Sequence, residues 1–201
     1  MSSSVSNEPA TPQADERRRS GRRVALLILA ICAAPTVAAW LAFFVWPPQS
    51  RTNYGDLIEP RRIPDPEMRG VDGSPFRLSR LRGKWVLLQV DSGACDEACR
   101  RRLVTMRQVR LALGKDADRV ERVWLLGDAA TPDPALLREH EDILVARAPP
   151  TLLEEFGAGD RIGYIYVIDP RGILMLRFPG DPDGRRMLRD LAHLLRVSRI
   201  G

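Results

Sequence analysis

The 201-residue chain is poor in the side chains that metal and nucleophile chemistry draws on, with three cysteines and two histidines. A structural zinc site wants four ligands, and these residues do not make one convincing set. His140 lies in the charged run "REHED", which reads as a solvated helix face, and His193 lies beside the apolar stripe of the last helix rather than on it. The net charge is +5, of which +2 belongs to the first 46 residues, so the remainder is nearly balanced. No basic stripe with interleaved aromatics stands out, and nucleic acid is not an expected partner. The cysteines are also too few and too close for a disulfide framework. Cys95 and Cys99 would enclose a loop too small to remove much entropy from the unfolded chain.

One long uncharged stretch is present. "VALLILAICAAPTVAAWLAFFVW", Val24 to Trp46, carries no charge. As a helix it is roughly 35 Å long, enough for a hydrocarbon core of about 30 Å. Pro35 sits near its middle, and membrane helices tolerate proline. The run is longer than a signal-peptide core and ends in Phe43, Phe44 and Trp46 without a clean Ala-x-Ala, so it reads as an uncleaved anchor. "ERRRSGRR" precedes it directly, and basic residues beside a span stay cytoplasmic. The expected order is therefore a disordered cytoplasmic tail over 1–23, a transmembrane helix over 24–46, a proline-rich tether over 47–67 and a globular domain over 68–201. In a bacterium that domain is periplasmic. Cys32, inside the apolar run, behaves there as a small apolar residue.

The domain alternates strands and helices. "GSPFRLSRLRGK" suggests a short strand or hairpin and a turn. "WVLLQV" (85–90) is apolar enough for a central strand covered on both faces. A helix follows from about Asp96 to Leu113, stopped by Gly114. "RVERVWLLGD" (119–128) reads as a strand, "DPALLREHEDI" (133–143) as a helix started by Asp133-Pro134, and "PTLLEEFG" (150–157) as a short helix. "GYIYVIDPRGILMLRF" (163–178) is a hairpin about Asp169-Pro170-Arg171-Gly172. The last helix, 183–197, carries the stripe Met187, Leu188, Leu191, Leu194, Leu195. Strand, helix, strand, helix, hairpin, helix predicts an α/β sheet with helices packed on its faces.

"DSGACDEACRRRL" (91–103) sits where the first central strand feeds the first long helix, a position where α/β sheets build sites. Residues four apart on a helix keep their Cβ atoms about 5–6 Å apart, and a disulfide needs about 3.5–4.5 Å. A bridge therefore requires Cys95 to leave helical geometry, which Gly93 makes easy. Two thiolates would equally suit Cu(I) or thiol–disulfide exchange. The third reading is a pair of inert buried thiols.

An amino-terminal anchor, a tether, a strand ending in Cys-x-x-x-Cys and a late "YVIDPRG" hairpin before a terminal helix resemble the Sco/SenC family over roughly residues 24–197. The resemblance implies a thioredoxin-like fold, a central mixed sheet flanked by helices, and a role in assembling the copper centre of cytochrome c oxidase at the bacterial inner membrane. It implies Cu(I) held by Cys95, Cys99 and a distant histidine, with thiol–disulfide chemistry at the same cysteines. It implies as partner an oxidase subunit or another assembly factor. Cys95 is expected to be the more exposed, attacking thiol and Cys99 the resolving one. Two departures stand out. Aligning on "YVIDPRG" places Asp160-Arg161 where the family carries Asp-His, and arginine cannot ligate copper. Met106 and Met175 are the soft substitutes to consider. Thioredoxin's Cys-x-x-Cys is absent, and Gly163 falls near the place of its cis-proline. The alternatives are a non-catalytic thioredoxin-fold interaction module and a general thiol–disulfide oxidoreductase.

Overall fold

The computed structural model describes residues 12–45, 53–156 and 163–198, with side chains in the first helix at 22, 24 and 27–41. The chain divides into two compact units, Met1–Arg51 and Thr52–Gly201. The first holds one helix, α1 (Pro12–Val45), with Pro35 inside it. Part of the expected tail, from Pro12 on, is thus helical. Proline at the first helical position and acidic residues close behind suit a helix start. The described large apolar side chains of α1 are exposed, among them Leu29, Ile31 and Trp40.

The second unit is an eight-stranded sheet with helices on it. In chain order its elements are β1 (Asp56–Arg62), β2 (Met68–Gly70), β3 (Pro75–Phe76), β4 (Trp85–Asp91), α2 (Glu97–Ala112), β5 (Val120–Leu126), α3 (Pro134–Glu139), β6 (Ile143–Arg147), α4 (Pro150–Leu153), β7 (Ile165–Ile168), β8 (Ile173–Phe178) and α5 (Gly184–Val197). The sheet order is β1-β8-β7-β4-β5-β6-β2-β3. β4, β5 and β6 run parallel, and β7 returns antiparallel against β4. The mixed sheet read from the sequence is present.

β4 lies at the middle of this order and is buried along its whole length. Its residues alternate between two cores. Val86, Leu88 and Val90 join Val123, Leu125, Tyr166 and Ile168 on one face. Trp85 and Leu87 join Met106 and Val109 of α2 and Met187, Leu191 and Leu195 of α5 on the other. The predicted stripe of the last helix is thus its buried face. Asp183 caps α5 by accepting from the backbone N–H groups of Arg185 and Arg186 at 2.9 and 3.1 Å. In the β7–β8 turn Asp169 accepts from Arg171 and Ile173, and Gly172 takes φ +83°.

Two elements correct the reading of the sequence. Asp56–Arg62, expected within the tether, is an edge strand paired with β8. Its Pro60 sits where the register shifts between Leu57 and Arg61, a place on a sheet edge where a missing N–H does no harm. The expected helix 133–143 stops at Glu139, and Ile143–Arg147 becomes β6. Pairing with β5 and burial of Ile143, Val145 and Ala146 outweigh the helical pattern.

The start of this unit is pinned to α5. The Gly55 N–H donates to Asp190 Oδ2 at 2.8 Å, and that carboxylate is buried. Asp190→Ala leaves the amide unsatisfied and is expected to cost about 1–3 kcal/mol. Urea unfolding of the variant should show a lower midpoint at unchanged slope, and an unshifted midpoint would remove Asp190 as a tie.

Candidate functional site

The site forms where β4 ends and α2 begins. Asp96 is the cap of α2 and accepts from the Cys99 N–H at 2.8 Å. Cys99 therefore stands in the first turn, with its amide aimed at a carboxylate rather than at the solvent. Cys95, one residue outside the cap, takes φ +40° and is the one non-glycine residue with positive φ among those described. That departure brings the Cα atoms of Cys95 and Cys99 to 5.1 Å, and the two sulfurs are joined in a disulfide. Cys95 leaves helical geometry as a bridge was expected to require, and does so with its own left-handed φ. Gly93 serves closeness instead: a Cβ there would lie 2.1 Å from the Ala130 carbonyl oxygen.

The loop around the bridge is held from the end of β5. Asp128 accepts from Ser92 Oγ at 2.6 Å, from the Gly93 N–H at 3.0 Å and from the Ala130 N–H at 3.1 Å. The Ser92 hydroxyl first, and then the Gly93 amide, hold this carboxyl below the usual carboxylate range. Arg100 Nε donates to the Cys95 carbonyl at 3.4 Å and its guanidinium lies 3.7 Å from Asp133. Both cysteines are buried, Cys95 at 2% and Cys99 at 0% exposure. Exposure therefore does not single out Cys95 as the attacking thiol. They pack with Leu103, Trp124, Leu126 and Leu136.

Behind Cys99 runs a buried polar chain that sequence reasoning missed. Gln89 Nε2 donates to Cys99 Sγ at 3.3 Å and to Asp91 Oδ2 at 3.0 Å. Arg102 Nη2 donates to the same carboxylate oxygen at 2.5 Å, and Nη1 to the Gly180 carbonyl at 3.1 Å. Gln89, Asp91 and Arg102 are all buried. The signal was in the sequence: Gln89 and Asp91 are the polar members of "WVLLQVD", two apart and so on one face of the strand. Arg102 is three residues past Cys99, on the same side of the helix. Gly163 closes the network, with φ +101°, and a Cβ there would lie only 3.3 Å from Arg102 Cζ. At the position compared with thioredoxin's cis-proline, a glycine thus lies against a guanidinium.

The remaining candidates do not gather at the bridge. Met106 is buried with Trp85 and Met187, and Met175 packs partly buried against that same core. His193 is exposed on α5. His140 corrects its expected solvated placement: it is 2% exposed at the end of α3, and neither ring nitrogen has a hydrogen-bond partner. The tertiary turn from α3 into β6 folds it inward, since the Ile143 N–H donates to its carbonyl at 2.9 Å. Asp160 and Arg161, aligned with the family's Asp-His, lie outside the described residues. Among the described residues no group of three or more His, Cys, Asp or Glu side chains is placed to hold a metal ion. Among the described residues, the soft donors at the bridge are two sulfurs, joined to each other.

Two outcomes follow from these environments. Arg102→Met strips the partner from a buried carboxylate and is expected to cost about 3–5 kcal/mol in chemical unfolding. A loss near zero would show that Asp91 is not held by this pair. Burial, and then the charges of Arg122 and Arg107, push the His140 pKa below its ordinary 6.5. The unfolded chain then binds the proton more tightly, so stability should fall as pH drops below about 6.5, by at most about 1.4 kcal/mol per pH unit from this group. His140→Phe should flatten that slope between pH 7 and 5, and an unchanged slope would assign it to the carboxylates.

Residues 85–198 match the family described as the transmembrane-like, thioredoxin-like C-terminal domain. No curated protein matches. Among solved structures, the chain is similar in fold to yeast Sco1 with copper bound, at 16% identity and TM-score 0.59, covering 70% of this chain and 96% of that one. Sco1 of Thermus thermophilus in its apo form gives 22% identity and TM-score 0.56 over 74% and 98% of the two chains. BsSco, a member of the Sco family of cytochrome c oxidase assembly proteins in which a disulfide switch is identified, gives 14% and 0.55 over 71% and 98%. At these identities the likeness is one of fold, and that fold is the thioredoxin-like one the sequence resemblance implied. With more than half its length matched, the chain belongs to the transmembrane-like, thioredoxin-like C-terminal domain family.

Proposed function

We propose that this chain is a membrane-anchored, Sco-like assembly factor that works by thiol–disulfide exchange at Cys95 and Cys99. The observation that carries the reading is the bridge itself. Two cysteines four residues apart are joined across the start of α2, at the carboxyl end of the central strand, with Cys95 held in a left-handed conformation. So short a loop adds little stability, so the strained turn is better explained by chemistry than by stapling. The Sco proteins named above share the fold, and their oxidase-assembly role is the basis for proposing an oxidase subunit or another assembly factor as partner.

The exchange uses the chain's own atoms. A partner thiolate attacks one sulfur of the bridge, forming a mixed disulfide and releasing the other cysteine as thiolate. A second partner thiolate then attacks the partner's sulfur, closing the partner disulfide and leaving both cysteines reduced. Two electrons pass from the partner thiols to the bridge, and the reverse direction reduces a partner disulfide. Gln89 Nε2 faces Cys99 Sγ as a donor, which suits a negative sulfur there. Once reduced, the two sulfurs are also soft ligands of the kind Cu(I) takes.

The anchor rests on the uncharged run Val24–Trp46 and on the exposed apolar side chains of α1. Among the described residues no helix is long and apolar enough to cross a membrane. The continuously described side chains of α1, 27–41, are fewer than the about 20 a span needs. The arginines before the run support a cytoplasmic amino end and a periplasmic domain in the bacterial inner membrane.

Exchange is tested with the full chain in detergent in a buffer of a small dithiol and its disulfide, with free thiols read by mass spectrometry. The wild type should cycle between bridge and dithiol, and Cys95→Ser with Cys99→Ser should abolish turnover. Thiols that neither exchange nor reoxidise would favour the non-catalytic interaction module. An anaerobic Cu(I) titration of the same two proteins reads the copper arm: one-to-one binding lost in the double variant would add copper delivery, with its third ligand still to be found.

A further inference from the structure

On α2, Arg100, Arg101, Arg102 and Arg110 lie within ion-pair distance of a carboxylate, on Asp133, Glu97, Asp91 and Asp142 respectively, while Arg107 is exposed and has no ion pair among the described residues. On α5 the outward stripe is Arg185, Arg189, His193 and Arg196, all exposed, with Arg186 beside it. None of these arginines takes part in an ion pair among the described residues. The single acidic residue of α5, Asp190, is turned inward and used by Gly55.

Stability does not explain this stripe. Arg185 and Arg189 are four apart, a spacing at which like charges repel. Arg185 and Arg186 occupy the first turn, at the positive end of the helix dipole, where the acid beside them is the Asp183 cap, bonded to their backbone N–H groups. Among the described residues this face pairs none of its arginines with an acid, which leaves its charge for anions from outside.

The path of the chain says which anions. Tyr54 and Gly55 are locked to the amino-terminal half of α5. The Tyr54 hydroxyl accepts from the Asp183 N–H at 2.9 Å, Arg186 Cζ sits 4.4 Å from the Tyr54 ring centroid, and the Gly55 N–H meets Asp190. If the apolar run ends in the membrane at Trp46, Tyr54 follows eight residues later. Even fully extended, that link reaches no more than about 29 Å. A membrane holding the run at Trp46 would lie within that reach of Tyr54, and anionic headgroups draw basic residues near a bilayer surface. We infer that the outward face of α5, Arg185, Arg189, His193 and Arg196 with Arg186, rests on an anionic phospholipid surface. The inference depends on the anchor reading, not on the exchange chemistry.

His193 provides the probe, because it lies within the stripe while the other histidine, His140, is buried. The full chain is placed in nanodiscs of phosphatidylcholine alone or with phosphatidylglycerol, and modification of each histidine by diethyl pyrocarbonate is followed by mass spectrometry. Phosphatidylglycerol should slow His193 by about threefold or more, and about 1 M salt, where the Debye length is about 3 Å, should restore the rate. In Arg185→Glu/Arg189→Glu/Arg196→Glu the two lipids should give equal rates, with His140 protected throughout as the sign of an intact fold. Equal rates for the wild type, with the chain still resisting alkaline carbonate extraction, overturn the inference while leaving the anchor standing, and point to an acidic protein partner instead. Extraction by carbonate removes the anchor and the inference together. Slowing that survives the triple variant also overturns it.

Discussion

A bridge between residues four apart at a helix start forces the backbone out of helical geometry on one side of it. Everything around Cys95 is arranged to hold that departure. Asp96 accepts from the Cys99 N–H in the first turn of α2, which places Cys99 inside the helix and leaves Cys95 outside. Gly93 lets the loop press against the Ala130 carbonyl, and Asp128 ties the same loop with three hydrogen bonds. The left-handed Cys95 is thus over-determined by its surroundings, the condition under which strained residues persist at working sites.

The second constraint is the burial of β4. A strand covered on both faces would ordinarily be apolar throughout, yet Gln89 and Asp91 both face the helix side. A buried carboxylate is tolerated only with a partner, and Arg102 supplies it from the same helix that carries Cys99. The guanidinium needs room, and Gly163 leaves it. Cys99 is consequently backed by an oriented donor. The Gln89 amide has one sensible orientation, because its NH2 must meet the Asp91 carboxylate, so that group also faces the sulfur. A neutral thiol would prefer an acceptor there, and a thiolate a donor. The polar chain behind the bridge therefore presents a donor to the Cys99 sulfur.

Local sequence carried the elements with strong punctuation. The hairpin about Asp169–Gly172, the stripe of α5, and the strand-to-helix step at the cysteines are read from turn chemistry and periodicity, and each is present. What failed had its cause elsewhere in the chain. β1 looks like a tether because Pro60 and the charges of "EPRR" oppose a strand, and only the free edge of β8 makes it one. β6 follows a helix-like run and exists because β5 offers an edge and a core. His140, among charged neighbours, looks solvated, and is buried where the chain turns into β6 beside β5. At the site, the two cysteines were legible from their spacing. Arg102 was not, because three consecutive arginines look alike until the helix face of Cys99 is known.

The same ambiguity holds for arginine across the whole domain. With net charge nearly balanced beyond residue 46, the number of arginines says little. Their destinations differ. Arg102 and Arg122 are buried and meet Asp91 and Asp142, and in each case the carboxylate offsets the desolvation of the guanidinium. Arg100 and Arg101 meet acids at the surface, where such pairs contribute little to stability. The arginines of α5 have no such acids, and the helix that presents them also holds the chain's path into the domain through Asp183 and Asp190. One helix thus buries its apolar stripe in the core, fixes the start of the domain along its flank, and leaves its outer face cationic. A helix committed on two sides has only the third with which to meet a partner, and the sequence has kept that side free of acid.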